Sequence, residues 1–322
     1  LDLHTIAKTE EGVEFRPARI AIGGTIYEDF PFKAECGFGS ELEYNDVFIG
    51  AQNIPYVGRA RVGRYKEFGS LDELTSDNDT MFIERALPNV FAPGRHIGLG
   101  VDNSFFNDRM TVGVGVFKDA DDFGFNANDD YAFTGRVTGL PCRSEDGENL
   151  VHLGIWGSVR STDDDNFRVR QRPEIHLAPR FIDTFDDIGA IDGMSLFGAE
   201  VGMTHGRVSA MGEFIMQMLD REAGSDATFW GAYGQVGVFL TDDHRGYKAG
   251  DGIFDRVTPK KNVQIGGDGM GAWEVAFRYS HLDLDDGGVN AGTQDDITVG
   301  LNLFLNSNLR WRLNYVQAWV EH

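Results

Sequence analysis

Apolar side chains occupy every second position in segments of about ten residues that recur along the whole chain. The pattern is clearest in 110–117, where Met, Val, Val and Val alternate with small or polar residues, and in 297–305. A period of two places the apolar side chains on one face of a β-strand. About fifteen strands are predicted in this way, near 1–6, 13–24, 27–38, 42–51, 57–66, 96–105, 110–117, 130–138, 150–160, 194–204, 207–218, 228–240, 271–283, 297–305 and 308–320.

The connections between these strands alternate between short and long. Short turns lie around Glu28, Pro55, Asn107, His205 and Ser307, and longer acidic connections alternate with them, with breaks in the rule at 139–149 and 241–270. Strands of this length and connections of this kind are typical of an outer-membrane β-barrel, whose apolar face meets lipid and whose small or polar face lines the lumen. We therefore expect one β-barrel domain over 1–322, with a long periplasmic turn at 241–270 and with loops at 67–95 and 161–193 that the family resemblance given below implies are inward-folded.

Bacterial barrels have an even number of strands, so the count predicts a sixteen-stranded barrel whose last strand follows His322. A soluble β-sandwich or β-helix also alternates and is the competing interpretation. Glycine, at 41 of 322 residues, disfavours it. The face opposite the apolar one is often glycine, serine, asparagine or a charged residue, which fits a wet channel better than a sandwich core.

Composition alone would suggest a soluble acidic protein, with a formal net charge of −22 and a mean hydropathy of −0.29. This charge disfavours nucleic acid as a partner. No GxSxG, HExxH or Walker motif is present, and the two cysteines, Cys36 and Cys142, lack metal-site spacing. We therefore expect neither an enzyme nor a cofactor, and no metal site.

Several segments resemble the phosphate-selective porin O and P family. They include Phe15-Arg16, Gly23-Gly24-Thr25, Val62 to Glu67, Ser70 to Ser76, Glu84 to Pro88, Phe91 to Arg95, Gly271 to Val275, Arg278 to Ser280 and Asn314 to Val316. The resemblance implies a sixteen-stranded, trimeric outer-membrane porin that passes phosphate or other anions. It also implies that the loop after strand 150–160 folds into the lumen and carries a row of arginines.

Three arginines in that loop share one side of an extended segment. Arg168, Arg170 and Arg172 are separated by single residues, and Arg160 and Arg180 are candidates to extend the row. A guanidinium stays charged and matches phosphate with a planar pair of donors, so successive arginines can pass an anion along a pore. The alternative is a basic loop neutralised by Asp163, Asp164, Asp165 and Glu174.

A second basic group lies where the chain enters the first long loop. Arg59 and Arg61 have the lumenal parity of their strand, and Ser70 with Glu73 matches a capping box that predicts a short helix. We expect this loop to form a constriction in which charged residues face Arg59 and Arg61 across the pore. These are Asp72, Glu73, Asp77, Asp79, Glu84 and Arg85. A purely structural loop at the rim is the alternative.

Arg16 matches one of a pair of arginines in the resembled family, but Pro17 stands where the second is expected. Arg19 has the lumenal parity and could replace it. The constriction loop also departs from the family, reading Glu67-Phe68-Gly69-Ser70. These departures bear on phosphate selectivity more than on the barrel.

The leading hypothesis is a trimeric porin in the bacterial outer membrane through which small, phosphate-like anions diffuse. Its other expected partners are membrane lipid and lipopolysaccharide. The alternatives are a general, non-selective or cation-preferring porin, which the acidic loops would favour, and a β-sandwich of the cell envelope without a pore.

Overall fold

The computed structural model describes residues 12–14, 18–38, 42–118 and 130–322. Fourteen long strands form one antiparallel sheet in which each strand pairs with the next along the chain. They are β1 (Ala18–Ile26), β2 (Phe30–Phe38), β3 (Leu42–Ile54), β4 (Gly58–Lys66), β5 (Arg95–Phe105), β6 (Met110–Lys118), β7 (Tyr131–Arg143), β8 (Asn149–Asp164), β11 (Ile191–His205), β12 (Val208–Arg221), β13 (Ala227–Phe239), β16 (Ala272–Asp286), β17 (Val289–Asn306) and β18 (Leu309–Glu321).

Four short strands lie in the long connections and form two separate hairpins. They are β9 (Arg170–Gln171), β10 (Ile182–Asp183), β14 (Gly246–Lys248) and β15 (Ile253–Asp255). One helix, α1 (Leu71–Leu74), and one 3₁₀ helix (Leu87–Phe91) complete the described elements. Within these residues no helix has both the length and the apolar character needed to span a membrane.

The predicted count of sixteen strands is wrong. The described residues form eighteen strands, fourteen in the large sheet and four in the hairpins. Each of the fourteen overlaps a segment predicted from alternation, and the predicted strand at 1–6 lies outside the described residues. The hairpin strands were missed because two or three residues are too few to show a period of two.

The two edge strands of the sheet approach the same residue. Arg19 in β1 donates to the Asp77 carboxylate at 3.0 Å, and Arg310 in β18 donates to the Asp77 carbonyl at 2.7 Å. A sheet whose first and last strands both reach one residue must curl around it, as the strands of a barrel do. The segment that contains Asp77 therefore lies on the concave face.

Burial along the strands is the reverse of that in a soluble protein. In β16, Val275, Phe277 and Tyr279 are 40, 44 and 46% exposed, whereas Glu274 and Arg278 are 0 and 2% exposed. Leaving so much apolar surface in water is unfavourable at about 25 cal/mol per Å², so the convex face is unlike the surface of a soluble protein. A soluble sandwich would hide that face, and this alternative is rejected.

Glycine on the inner face has a different role from the one expected. We predicted a wet glycine surface, but aromatic rings cover much of it. A Cβ on Gly113 would lie 2.6 Å from the Phe68 ring, and one on Gly202 would lie 3.0 Å from Phe254. The glycines thus make room for residues of the connections that fold into the barrel.

Candidate functional site

Three connections enter the concave side of the sheet. We name them loop one (67–94, between β4 and β5), loop two (165–190, between β8 and β11) and the inner turn (240–271, between β13 and β16). Their bounds differ slightly from the predicted 67–95, 161–193 and 241–270, and loop two is shorter than predicted because β8 and β11 extend further than alternation indicated. Loops one and two start from one rim of the sheet, and the inner turn starts from the other.

Loop one begins with the predicted short helix. The Ser70 hydroxyl accepts a hydrogen bond from the Glu73 backbone N–H at 3.0 Å, which confirms the cap. The Glu73 carboxylate does not return to Ser70 but pairs with Arg85 and Lys66. The helix therefore has only the Ser70 half of the capping box. The Glu73 carboxylate instead forms ion pairs with cations of loop one and β4.

A wall residue anchors the start of this helix. The Glu213 carboxylate in β12 accepts hydrogen bonds from the backbone N–H groups of Leu71 and Asp72 at 2.7 and 2.9 Å. It also accepts hydroxyl hydrogen bonds from Ser70 and Tyr233. An acceptor placed at unsatisfied helical N–H groups stabilises the helix and holds loop one against the wall.

The charges of loop one are paired mainly within the loop. Arg85 forms ion pairs with Glu73 at 3.2 Å, Asp77 at 2.6 Å and Asp72 at 3.7 Å. Burial alone would raise the pKa of Asp77, but the charges of Arg85 and Arg19 outweigh it and hold that pKa well below its usual range. Glu84, the neighbour of Arg85 in the chain, lines a cavity between loops one and two.

Arg59 and Arg61 form no ion pair with the acids of loop one in the described residues, and the predicted transverse field between the two groups stays a prediction. Both arginines contact Asp102 in β5, and Arg59 also contacts Asp251 of the inner turn at 2.6 Å. The Arg61 guanidinium lies 4.7 Å from the centre of the Tyr65 ring. These cations are thus paired with acids from the neighbouring strand and from the inner turn. The alternation within a single strand cannot identify such partners.

Arg19 is a second wall cation, after Lys66 of β4, that pairs with an acid of loop one. It pairs with Asp77 at 3.0 Å and lies 3.8 Å from Glu35 of β2. Arg16, the residue that matched the resembled family, lies outside the described residues. The structure thus brings Arg19 together with Asp77 and Arg85, and places Arg59 and Arg61 in a separate cluster.

Loop two presents the predicted arginines on one side of an extended segment. Val169, between Arg168 and Arg170, is 4% exposed and packs with Ile182 in a cluster that reaches the wall. Arg168 and Arg170 are exposed, and Arg172 is half-buried. The short pairing of β9 with β10 holds the segment extended.

The arginines of loop two differ in their partners. Arg168 donates two hydrogen bonds of 2.6 Å to Asp183. The side chains of Arg170, Arg172 and Arg180, which we name the arginine cluster, have no carboxylate partner among the described residues, and the Arg172 Nε is buried without a hydrogen bond. Burial and the charges of Arg170 and Arg172 lower the pKa of Arg180, as expected of like charges that lie close together. Arg160 does not extend the row, because it is buried against Glu67.

A cavity of about 780 Å³ lies between loops one and two. Its cationic lining residues are Arg19, Arg85, Arg172 and Arg312. Asp77, Glu84 and Glu174 line it as well, with His176. Three of the predicted constriction residues, two wall cations and one member of the arginine cluster meet at this cavity.

The inner turn reaches the middle of the barrel. Arg245 donates to both oxygens of Glu274 at 2.7 and 2.8 Å and to the Asp79 carbonyl of loop one at 2.7 Å. Arg136 of β7 donates to the Gly252 carbonyl at 2.7 Å. The turn thus touches both loop one and the wall, and its periplasmic side stays a prediction.

Sequence reasoning missed the residues that hold the loops in place. Glu174, Glu213, Glu274 and Arg278 are each buried, and three of them lie within strands on the concave face. A signal was present, because a charged residue at the inner parity in mid-strand needs a partner. The partner lies in a distant loop, so the sequence alone could not name it.

The model of the family described as phosphate-selective porin O and P matches residues 4–321. The chain belongs to this family. It is 32% identical to an uncharacterized protein of Caulobacter vibrioides over 94% of the chain, and it spans 62% of that relative's length. It is also 26% identical to Porin O of Pseudomonas aeruginosa, over 97% of the chain and 78% of the relative.

Solved structures of outer-membrane porins share the fold of this family member. An anion-selective porin from Comamonas acidovorans aligns with a TM-score of 0.57 at 12% identity, covering 96% of this chain and 80% of that chain. The trimer form of OmpT from Vibrio cholerae aligns with a TM-score of 0.57 at 12% identity, covering 94% and 81%. The predicted barrel class and the outer-membrane location are confirmed.

Proposed function

We propose that this protein is an outer-membrane porin through which small anions diffuse, and that the arginine cluster of loop two selects them. The observation that carries this proposal is the group of three guanidiniums without a carboxylate partner in the described part of a chain whose net charge is −22. Other cations on the concave face, such as Arg19, Arg59 and Arg85, have an acid beside them. A permeating anion is the partner that the cluster lacks.

The chemistry of the cluster suits oxyanions such as phosphate. Arginine keeps its charge at any physiological pH and offers donors that match two oxygens of one anion. Several sites in a row also allow the ion to leave, because each neighbour competes for it. Family membership and the Comamonas porin of similar fold, which is described as anion-selective, agree with this function.

In this proposal the cations that are paired with acids do not select the anion. Arg59, Arg61, Arg19 and Arg168 are offset by Asp102, Asp77 and Asp183, so their net contribution to the lumenal potential is small. Ser70, Asp72, Glu73, Asp77, Glu84 and Arg85 shape the constriction. Three copies form the functional unit in this proposal, as in the trimeric OmpT structure of similar fold, and lipid and lipopolysaccharide surround the exposed apolar face.

A general or cation-preferring porin is the second candidate, favoured by the acids of loop one that line the cavity. The two are separated by the reversal potential of the full-length protein in a planar bilayer under a tenfold KCl gradient. The proposal predicts a reversal potential whose sign indicates anion preference. Phosphate added at constant KCl should reduce the chloride current. A reversal potential with the sign of cation preference would overturn the proposal in favour of the general porin.

A further inference from the structure

One buried arginine of the barrel wall contacts both loops that bound the cavity. The Arg278 guanidinium in β16 donates to the Glu174 carboxylate of loop two, with Nε at 2.8 Å from Oε2. It also donates to the Glu84 carbonyl of loop one at 3.0 Å, and it lies 4.5 Å from the centre of the Phe82 ring. Arg278 is 2% exposed, so it reaches the loops without lining the cavity.

Glu174 is held from several directions at once. Its carboxylate accepts hydrogen bonds from Arg278, Ser280 and Thr298, and its backbone N–H donates to the Asp296 carboxylate at 2.8 Å. The residue is 6% exposed. A carboxylate with this many donors has one well-defined position, because a shift would leave buried donors unsatisfied.

That position is transmitted to the arginine cluster through the backbone. Pro173 alone separates Glu174 from Arg172, and its ring restricts the backbone between them. On the other side of Arg172, Gln171 donates to the Leu87 carbonyl of loop one at 3.0 Å. The backbone of Arg172 is therefore held on one side by the contacts of Glu174 with the wall and on the other by the hydrogen bond of Gln171 to loop one.

We propose that Arg278 is a positioning residue for anion selection, which fixes Arg172 relative to loop one by bridging Glu174 and Glu84. This inference rests on the proposed function and names the wall residue on which selection depends. Arg278 does not touch the permeating ion. Its planar guanidinium is needed because two loops must be reached in different directions from one side chain.

The variants separate positioning from folding. Arg278→Gln leaves Glu174 buried without its charge partner, which is costly, whereas Arg278→Gln combined with Glu174→Gln removes both charges and leaves no buried ion unpaired. Arg136→Gln combined with Glu200→Gln is the matched control, because this buried pair of the wall donates to the inner turn rather than to loop one or loop two. Arg278→Lys keeps the charge but cannot reach both loops.

Two readouts are measured on the full-length protein in bilayers or vesicles. The first is the phosphate concentration that halves the chloride current, a measure of anion affinity. The second is the distance distribution between spin labels at positions 78 and 177, in a background where Cys36 and Cys142 are replaced by Ser; it reports the separation of loops one and two without altering the arginine cluster.

We expect the double variant and Arg278→Lys to raise the half-blocking phosphate concentration about tenfold, which corresponds to about 1.4 kcal/mol, and to broaden the distance distribution. Arg136→Gln with Glu200→Gln should leave both unchanged. An unchanged distance distribution in the double variant would overturn the inference. If the wild-type chain shows no phosphate block, the proposed function fails, and the distance distribution alone still decides whether Arg278 positions loop two.

Discussion

Arg168 and Asp183 share two hydrogen bonds of 2.6 Å beside the β9–β10 hairpin, in which Asp183 stands opposite Arg170. The pair is bidentate, and Arg168 also stacks at 5.1 Å on the Phe185 ring. Of the three arginines predicted to form a row, the first is thus already neutralised, whereas Arg170 and Arg172 are not. The distinction leads to predictions that the spacing of the three residues could not provide.

Removing the partner of Arg168 should strengthen anion preference. In Asp183→Asn the guanidinium keeps a hydrogen-bond acceptor but loses the compensating charge, so the lumen gains one net positive charge. We expect the anion-to-cation permeability ratio to rise, measured as a larger reversal potential in a KCl gradient. Asp242→Asn, which removes an acid that pairs with Arg207 and Lys260 at the exposed rim, is the control and should have no effect.

The same pair predicts a pH dependence. Partial burial would raise the pKa of Asp183, but the hydrogen bonds from Arg168 outweigh it and lower that pKa below the ordinary value of about 3.9. A carboxylate with a lowered pKa stabilises the folded pair above its unfolded pKa and loses this contribution as the pH falls through the folded value. The difference in reversal potential between wild type and Asp183→Asn should stay constant from pH 7 to pH 5. A difference that disappears in that interval would contradict the assignment.

Loop one should depend on its anchor in the wall. Replacing Glu213 by Ala removes the acceptor for Leu71, Asp72, Ser70 and Tyr233, and each unsatisfied buried donor costs about 1–3 kcal/mol. We expect faster hydrogen exchange at 71–75 and noisier single-channel currents. The exposed acid Glu222 provides the control, since Glu222→Ala should leave the exchange of these amides unchanged.

A glycine on the inner face should be sensitive to the addition of one methyl group. A Cβ at position 113 would lie 2.6 Å from the Phe68 ring, whereas one at position 234 meets nothing within 4 Å. Gly113→Ala should lower the free energy of unfolding by about 1–3 kcal/mol through overpacking. Gly234→Ala should be neutral. Equal stabilities in urea titrations of the two variants would show that Phe68 is not held against β6.

Alternation determined the fold almost completely. Every long strand, from β1 to β18, lies over a segment predicted from its period of two, because the convex face must be apolar along the whole height of the barrel. The hairpin strands β9, β10, β14 and β15 were not predictable, since their conformation depends on packing against the wall. Counting strands from sequence failed for this reason.

Less of the candidate site than of the fold could be predicted from the sequence. The spacing of Arg168, Arg170 and Arg172 was enough to place them on one side, with Val169 turned inward. The partner of Arg168 was not predictable, because Asp183 is brought close by folding and not by sequence, and the same holds for Asp102, the partner of Arg59 and Arg61. The expectation of a wet glycine surface failed at Gly113, where the Phe68 ring covers the inner face.

The central claim is that Arg170, Arg172 and Arg180 carry anion selection, and the reversal potential of the triple Gln variant tests it most directly. Arg207→Gln with Lys260→Gln, which removes cations already paired with Asp242 at the rim, is the control. We predict that the triple variant loses anion preference in a tenfold KCl gradient while the control keeps it. A triple variant with the wild-type reversal potential would contradict the claim.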